Sequence, residues 1–263
     1  MTKYLYCLPI FLLIASCNAQ PAKTESELKE DLSQIEDSIE ITPSAIEELY
    51  ERYKNDSVSI SKGSFSNGSL VNGAIMPFSG PNFRYFDTTS YLARRAFVNN
   101  RVKSTILQTY DSLQSCSKTF FGLMECSNEQ GGKLYPHQTH QNGLSVDFMV
   151  PILKNGKVSS DLNDLGVDHY FMEFDDNGVY KADKNYQIDF NTMALHLLIL
   201  QEEVKANGLE IDKIILKIGL KDNLFATPNG KKLKGTGVYF ALKLTPLIDN
   251  LHDDHYHVDF KVR

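Results

Sequence analysis

Five of the seven histidines in this chain fall into two short clusters far apart in sequence. The first reads His137-Gln-Thr-His140-Gln-Asn-Gly143-Leu-Ser-Val-Asp147. The second, close to the C-terminus, reads His252-Asp-Asp-His255-Tyr-His257. Imidazole nitrogens and a carboxylate oxygen are ligands that zinc accepts, and two imidazoles with one carboxylate would leave its fourth tetrahedral position to water. Zinc so held brings the pKa of that water toward neutrality and polarises a neighbouring carbonyl. An imidazole outside the ligand set is suited to take the water proton. Metal-activated hydrolysis is the chemistry these residue types could perform.

Such a site needs strands that bring the clusters together. In an extended chain alternate side chains share a face. Tyr256, Val258, Phe260 and Val262 then make an apolar core face, while His255, His257, Asp259 and Lys261 line the other, open to a cleft. The same parity turns Leu144, Val146, Phe148 and Val150 inward and Asp147 outward with Ser145. If these strands are neighbours, Asp147 and His257 converge, and His140, in the loop entering the first strand, completes the set. His255 shares a face with His257 and is the candidate base. His137, one helical turn before His140, is a candidate for lining the site. The other two histidines read differently: His196 as a core or boundary residue in an apolar helix, and His169 as surface or cleft rim. Spacing alone does not bring the clusters together.

PHQTHQNGLSVDF followed by HDDHYHVDF resembles the penicillin-insensitive murein endopeptidases, within the wider lysostaphin and D-Ala-D-Ala metallopeptidase group. That group is marked by His-x6-Asp followed later by His-x-His, and both spacings stand here unaltered. The Gly- and Asn-rich stretch Gly63-Ser-Phe-Ser-Asn67-Gly68-Ser69, with Gly73 and Met76-Pro77, resembles the family's opening. Glu129-Gln-Gly-Gly-Lys133 resembles its glycine loop. The resemblance implies Zn2+ as cofactor, bound by His140, Asp147 and His257. It also implies His255 as base and His252 as a further active-site histidine that binds or polarises substrate. The substrate it implies is the peptide cross-link of peptidoglycan, cleaved at an amide bond. The likeness runs from about residue 61 to the C-terminus and is weakest in an insertion from Lys154 to Gln187. That insertion, and the absence of the cysteines that brace some relatives near the C-terminus, bear on which bond is cut. Two alternatives stay open: a D,D- or L,D-carboxypeptidase of the same group, and an inactive peptidoglycan-binding lipoprotein.

The remainder of the chain fits an exported protein. Lys3 followed by the apolar run Tyr4–Ser16 is too short to span a bilayer and reads as a secretory signal over residues 1–16. Its end, Ile14-Ala15-Ser16-Cys17, resembles the bacterial lipoprotein box, which implies lipidation at Cys17; a signal peptide cut near Ala19 is the alternative. Asn18, in place of an Asp after that cysteine, points to the outer membrane, facing the periplasm. Residues 17–60 are polar and charged and read as a lipid-anchored tether, with Ile46–Tyr53 as a candidate docked helix within it. The catalytic domain is then 61–263. Cys116 and Cys126 are either a disulfide, as export permits, or two buried free thiols. A net charge of −6 argues against a nucleic-acid groove.

The chain is 42% apolar, with 15 Phe and 13 Tyr, enough for one sizeable core. Helical apolar spacing covers Val98–Leu113 and Phe190–Asn207, the latter stopped by Gly208. Strands are expected at Phe120–Cys126, Leu144–Val150, Lys213–Leu220 and His255–Val262. Because helices and strands do not alternate regularly, the fold class read from this pattern is α+β. It should have a small central antiparallel β-sheet, flanking helices and a loop-and-hairpin insertion.

Overall fold

The elements follow from local signals, and a computed structural model describes them over residues 43–263. Residues 1–42, with the signal segment, Cys17 and most of the tether, lie outside the described residues. The first elements are helix α1 (Pro43–Tyr53), a hairpin of β1 (Ile60–Ser64) and β2 (Asn67–Val71), and the short strands β3 (Ala74–Ile75), β4 (Ser79–Gly80) and β5 (Phe83–Tyr85). Helix α2 (Thr88–Leu92), β6 (Phe97–Val98) and α3 (Asn100–Gln114) follow. β7 (Phe121–Leu123) and β8 (Ser145–Met149) flank the loop that carries the first histidine cluster. The insertion holds β9 (Ile152–Lys154), β10 (Lys157–Ser159), a 3-10 turn at Gly166–Phe171 and β11 (Tyr186–Ile188). Last come α4 (Phe190–Ala206), β12 (Leu209–Ile215), a 3-10 turn at Ile218–Leu220, α5 (Lys221–Ala226), α6 (Pro228–Gly235), α7 (Pro246–Asn250) and β13 (His255–Val262).

The fold is α+β. Its principal sheet has six strands in the order β12-β13-β8-β7-β5-β4. Every neighbouring pair is antiparallel except β5 and β7, so the sheet is mixed rather than purely antiparallel. In the insertion, β9 pairs with both β10 and β11. Among the described residues no helix is long and apolar enough to cross a membrane.

Two capped helices cover one face of the principal sheet. Asn99 caps α3 by accepting from the Arg101 N–H at 3.0 Å, and Asp189 caps α4 by accepting from the Thr192 N–H at 3.0 Å. Gly208, at φ +68°, takes the left-handed position just past α4. Val102, Ile106, Tyr110 and Leu113 of α3 and Met193, Leu197, Leu200 and Val204 of α4 are all buried. Burial of each such side chain contributes ~1.5–3 kcal/mol. Beneath them Phe148 stacks on Tyr256 at 5.6 Å between ring centroids.

The docked helix expected at Ile46–Tyr53 within residues 17–60 is present in α1: Ile46, Leu49, Tyr50 and Tyr53 pack against the core, with Tyr53 edge-on to Phe97 at 5.6 Å. These apolar residues, spaced at three and four, are diluted by polar neighbours in the composition. The strand expected at Lys213–Leu220 instead spans Leu209–Ile215, because Gly208 ends α4 and lets pairing with β13 begin at once. Its apolar continuation, Ile218–Leu220, is a helical turn. Of the two readings left open for Cys116 and Cys126, free thiols is the one found, with Cys126 buried in the core but Cys116 exposed after α3.

His196 is the core histidine that its apolar helix suggested. Its Nδ1 lies 3.0 Å from the Tyr256 hydroxyl, its ring centroid lies 4.8 Å from that of Phe148, and burial pushes its pKa down to about 3. Above pH ~6.5 both folded and unfolded chains carry this imidazole neutral. As pH falls from there toward 3, the unfolded chain binds a proton that the folded one cannot, so stability drops by ~1.4 kcal/mol per pH unit. His196→Phe should cost ~1 kcal/mol at pH 7, by stranding the Tyr256 hydroxyl, yet lose less stability than wild type on acidification. Denaturant midpoints at pH 7 and 4.5 measure this, and an unchanging gap between the two proteins would contradict it.

Candidate metal centre

Strand register sets the centre. β13 pairs with β8 so that His257 lies opposite Asp147, and His255 opposite Met149. Phe148 and Tyr256 turn toward the helices, which leaves Asp147, His255 and His257 on the far face. The three side chains on that face are nearly fully buried: His255, His257 and Asp147 are 4%, 2% and 1% exposed. The covering loop, residues 128–143, is held by backbone bonds on both sides. Gly132 N–H donates to Gln141 O at 2.9 Å, Gln141 N–H to Phe65 O at 3.0 Å and Leu70 N–H to Gln130 O at 2.8 Å. The Gly- and Asn-rich opening is thus a hairpin clamped over this loop. Gly143 is at φ +73°, and a Cβ there would lie 2.9 Å from Asn99 N and 2.8 Å from the Leu70 side chain. His140 itself adopts φ +64°, a costly conformation for a residue with a Cβ that marks functional sites.

The loop lays His140 and His137 against Asp147. His140 Nε2 is 3.2 Å and His137 Nδ1 3.8 Å from Asp147 Oδ2. His257 approaches the other oxygen, with Nδ1 2.8 Å from Oδ1. One ligand atom each from His137, His140 and Asp147 lie within 4.8 Å of one another, so this buried group can hold a metal ion. The orphaned atoms fit that role: His137 Nε2, both His140 ring nitrogens and Asp147 Oδ2 are buried without a hydrogen-bond partner. Leaving such groups unpaired costs ~1–3 kcal/mol each, and a cation among them would satisfy several. His137 thus lies within the group that could hold an ion, beside the expected ligands His140 and Asp147. His257 flanks the cluster, its ring 4.8 Å from that of His140.

Carboxylates position the remaining imidazoles. His257 is held between Asp147 Oδ1 and Asp259 Oδ1, each at 2.8 Å from a ring nitrogen. Burial alone would lower its pKa, but Asp259 and Asp147 raise it to about 10, so the metal-free ring is a cation between two anions. Burial would likewise raise Asp147, but His140 and His257 hold its carboxyl well below the usual range. Asp259 also accepts from Ser145 Oγ at 2.6 Å and pairs with Lys213 Nζ at 3.0 Å. His255 Nδ1 donates to Asp254 Oδ1 at 2.6 Å, so Nε2 carries no proton when the ring is neutral; burial would lower the pKa of this ring, but Asp254 raises it above its ordinary value. His252 Nδ1 donates to Ile248 O at 2.6 Å, and burial and His255 push its pKa down to about 3; it is neutral, with Nε2 an acceptor. Behind Asp147, its N–H donates to Glu125 O, and the Glu125 carboxylate is clamped by Arg95 Nε at 2.9 Å.

The structure thus gathers His137, His140, Asp147, His252, His255 and His257 into one region. His169 is not at the surface or rim as expected. It is buried with Nε2 3.2 Å from Asp254 O, behind the dyad of Asp254 and His255. Asp254 and Asp259 are functional residues that no ligand motif marks; the available signals are strand parity, which puts Asp259 on the His257 face, and the adjacency of Asp254 to His255. Nothing local marks Tyr170, whose ring packs near both His137 and His255. No protein-family model matches the chain, and no curated protein is significantly similar to it.

Metal binding is directly measurable. His140→Ala and Asp147→Ala should each lose more affinity than the ~10- to 100-fold typical of removing an outer-shell partner. Wild-type affinity should weaken as pH falls, because imidazoles must be unprotonated to bind. Competition titrations with a chromogenic chelator report both effects, and an Asp147→Ala protein of wild-type affinity would remove this site from consideration.

Proposed function

We propose that this chain is a zinc peptidase that hydrolyses amide bonds in the peptide cross-links of peptidoglycan, exported and anchored through a lipid on Cys17. The observation that carries the reading is the His255–Asp254 dyad beside the His137–His140–Asp147 group: a carboxylate-oriented imidazole next to buried metal-ligating atoms. The His and carboxylate donor set suits zinc, and the His-x6-Asp and His-x-His spacings support the murein endopeptidase resemblance.

In this reading His140, Asp147 and His257 Nδ1 are the ligands, with His137 beside them. Zinc, when bound, supplies a Lewis acid for water and for the carbonyl oxygen. His255 Nε2 takes a proton from the attacking water as the water oxygen bonds to the carbonyl carbon. The same proton passes to the leaving nitrogen as the C–N bond breaks, giving a carboxylic acid and an amine, and the remaining water proton then passes between them to leave a carboxylate and an ammonium. Asp254 holds the ring for both transfers and stabilises the imidazolium between them. Asp259, Ser145 and Lys213 fix His257, and such outer-shell support keeps a ligand ring in one orientation.

Purified protein incubated with cross-linked muropeptides should yield uncross-linked products identifiable by mass; release of D-Ala alone would indicate a carboxypeptidase instead. His257→Ala should lose zinc and turnover together. His255→Ala should keep the metal and lose ~10²- to 10⁴-fold in rate. A zinc-free His255→Ala protein would make that residue a ligand, and a fully active one would exclude it as the base.

A further inference from the structure

Tyr170 brings to this site a hydrogen-bond donor that the protein itself does not use. It lies in the 3-10 turn Gly166–Phe171 of the insertion, and its hydroxyl is buried with no hydrogen-bond partner. Its ring stands 6.1 Å from that of His137 and 6.3 Å from that of His255 between centroids, so the side chain packs near both a member of the metal-ligand group and the base. Phe86 packs edge-on against it at 5.5 Å. The turn is fixed from behind, where His169 lies 3.2 Å from Asp254 O. The placement is therefore rigid, and an unpaired buried hydroxyl costs stability unless a ligand completes it.

The other imidazoles of the region are committed. His255 Nδ1 donates to Asp254 and its Nε2 serves as base. His252 Nδ1 donates to Ile248 O, so its Nε2 accepts rather than donates. The His257 nitrogens face Asp147 and Asp259. Amide hydrolysis places growing negative charge on the carbonyl oxygen, and a preorganised donor in a site shielded from water stabilises that charge strongly. The Tyr170 phenol is such a donor: burial, and next the Glu125 carboxylate, raise its pKa well above the ordinary value of 10.0, so it keeps its proton throughout.

We propose that Tyr170 is a further catalytic residue, whose phenol O–H donates a hydrogen bond to the scissile carbonyl oxygen as that oxygen becomes anionic. No proton is transferred; the bond shortens and strengthens as charge develops. The inference rests on the amide-hydrolysis reading above. It gives the insertion a role in the reaction, by delivering a side chain that the two histidine clusters lack.

The test uses full-length Tyr170→Phe protein and a phosphinic pseudodipeptide built on D-Ala, whose tetrahedral oxygens mimic the anionic carbonyl. Zinc stoichiometry should be unchanged, and Tm equal or higher, since an unpaired buried hydroxyl has been removed. Affinity for the phosphinate by calorimetry should fall by roughly 10²-fold, with kcat falling by a similar factor and KM little altered. Wild-type affinity and kcat in Tyr170→Phe would overturn the role of Tyr170 alone. A lowered Tm or lost zinc would also overturn it, by showing a structural role. Wild-type protein that binds zinc but neither binds the phosphinate nor cleaves muropeptides would overturn the hydrolase reading, and this inference with it.

Discussion

The pairing of Asp147 with His257 across β8 and β13 is the constraint on which the rest of the site depends. A one-residue slip would exchange every side chain between the two faces. Phe148 and Tyr256 would then enter the site, and the two metal-competent side chains would enter the apolar layer. The stack of Phe148 on Tyr256 at 5.6 Å under the helices therefore fixes the registry of the chemistry on the other side. Core packing and site geometry are two faces of one pair of strands.

That far face buries much charge. Asp147, Asp254, Asp259 and Glu125 are nearly inaccessible, and a carboxylate is tolerated there only when paired. Each has a partner: His257 for Asp147, His255 for Asp254, Lys213 and Ser145 for Asp259, and Arg95 for Glu125. Buried pairs of this kind orient imidazoles more than they stabilise the fold. The same acidic stretch fastens the insertion, since Phe174 N–H and Lys217 both bond Asp253, and His169 contacts Asp254. The insertion is thereby tied directly to the strand that carries the histidines.

The loop over the site shows where conformational cost is concentrated. His140 and Gly143 both take positive φ within four residues, and close backbone approaches at Gly143 exclude a larger residue. Bonds from Phe65, Leu70 and Asn99 hold the loop against that cost.

The sequence by itself determined the two long helices, the parity of the strands carrying Asp147 and His257, and the set of histidines that could act together. These follow from periods of 3.6 and 2 and from ligand chemistry, all local properties of the chain. The tertiary structure decided what depends on distant partners. The docking of α1 rests on Phe97, the start of β12 on pairing with β13, and the free state of Cys116 and Cys126 on one being exposed and the other in the core. His137 lies within the group that could hold an ion because the loop carrying it, tied by backbone bonds to a hairpin some seventy residues upstream, folds back against Asp147. Tyr170 reaches the same place from an insertion with no periodic signal. Sequence spacing specifies which face a side chain takes on a regular element, whereas the path of a loop is set by whichever distant backbone groups satisfy its hydrogen bonds.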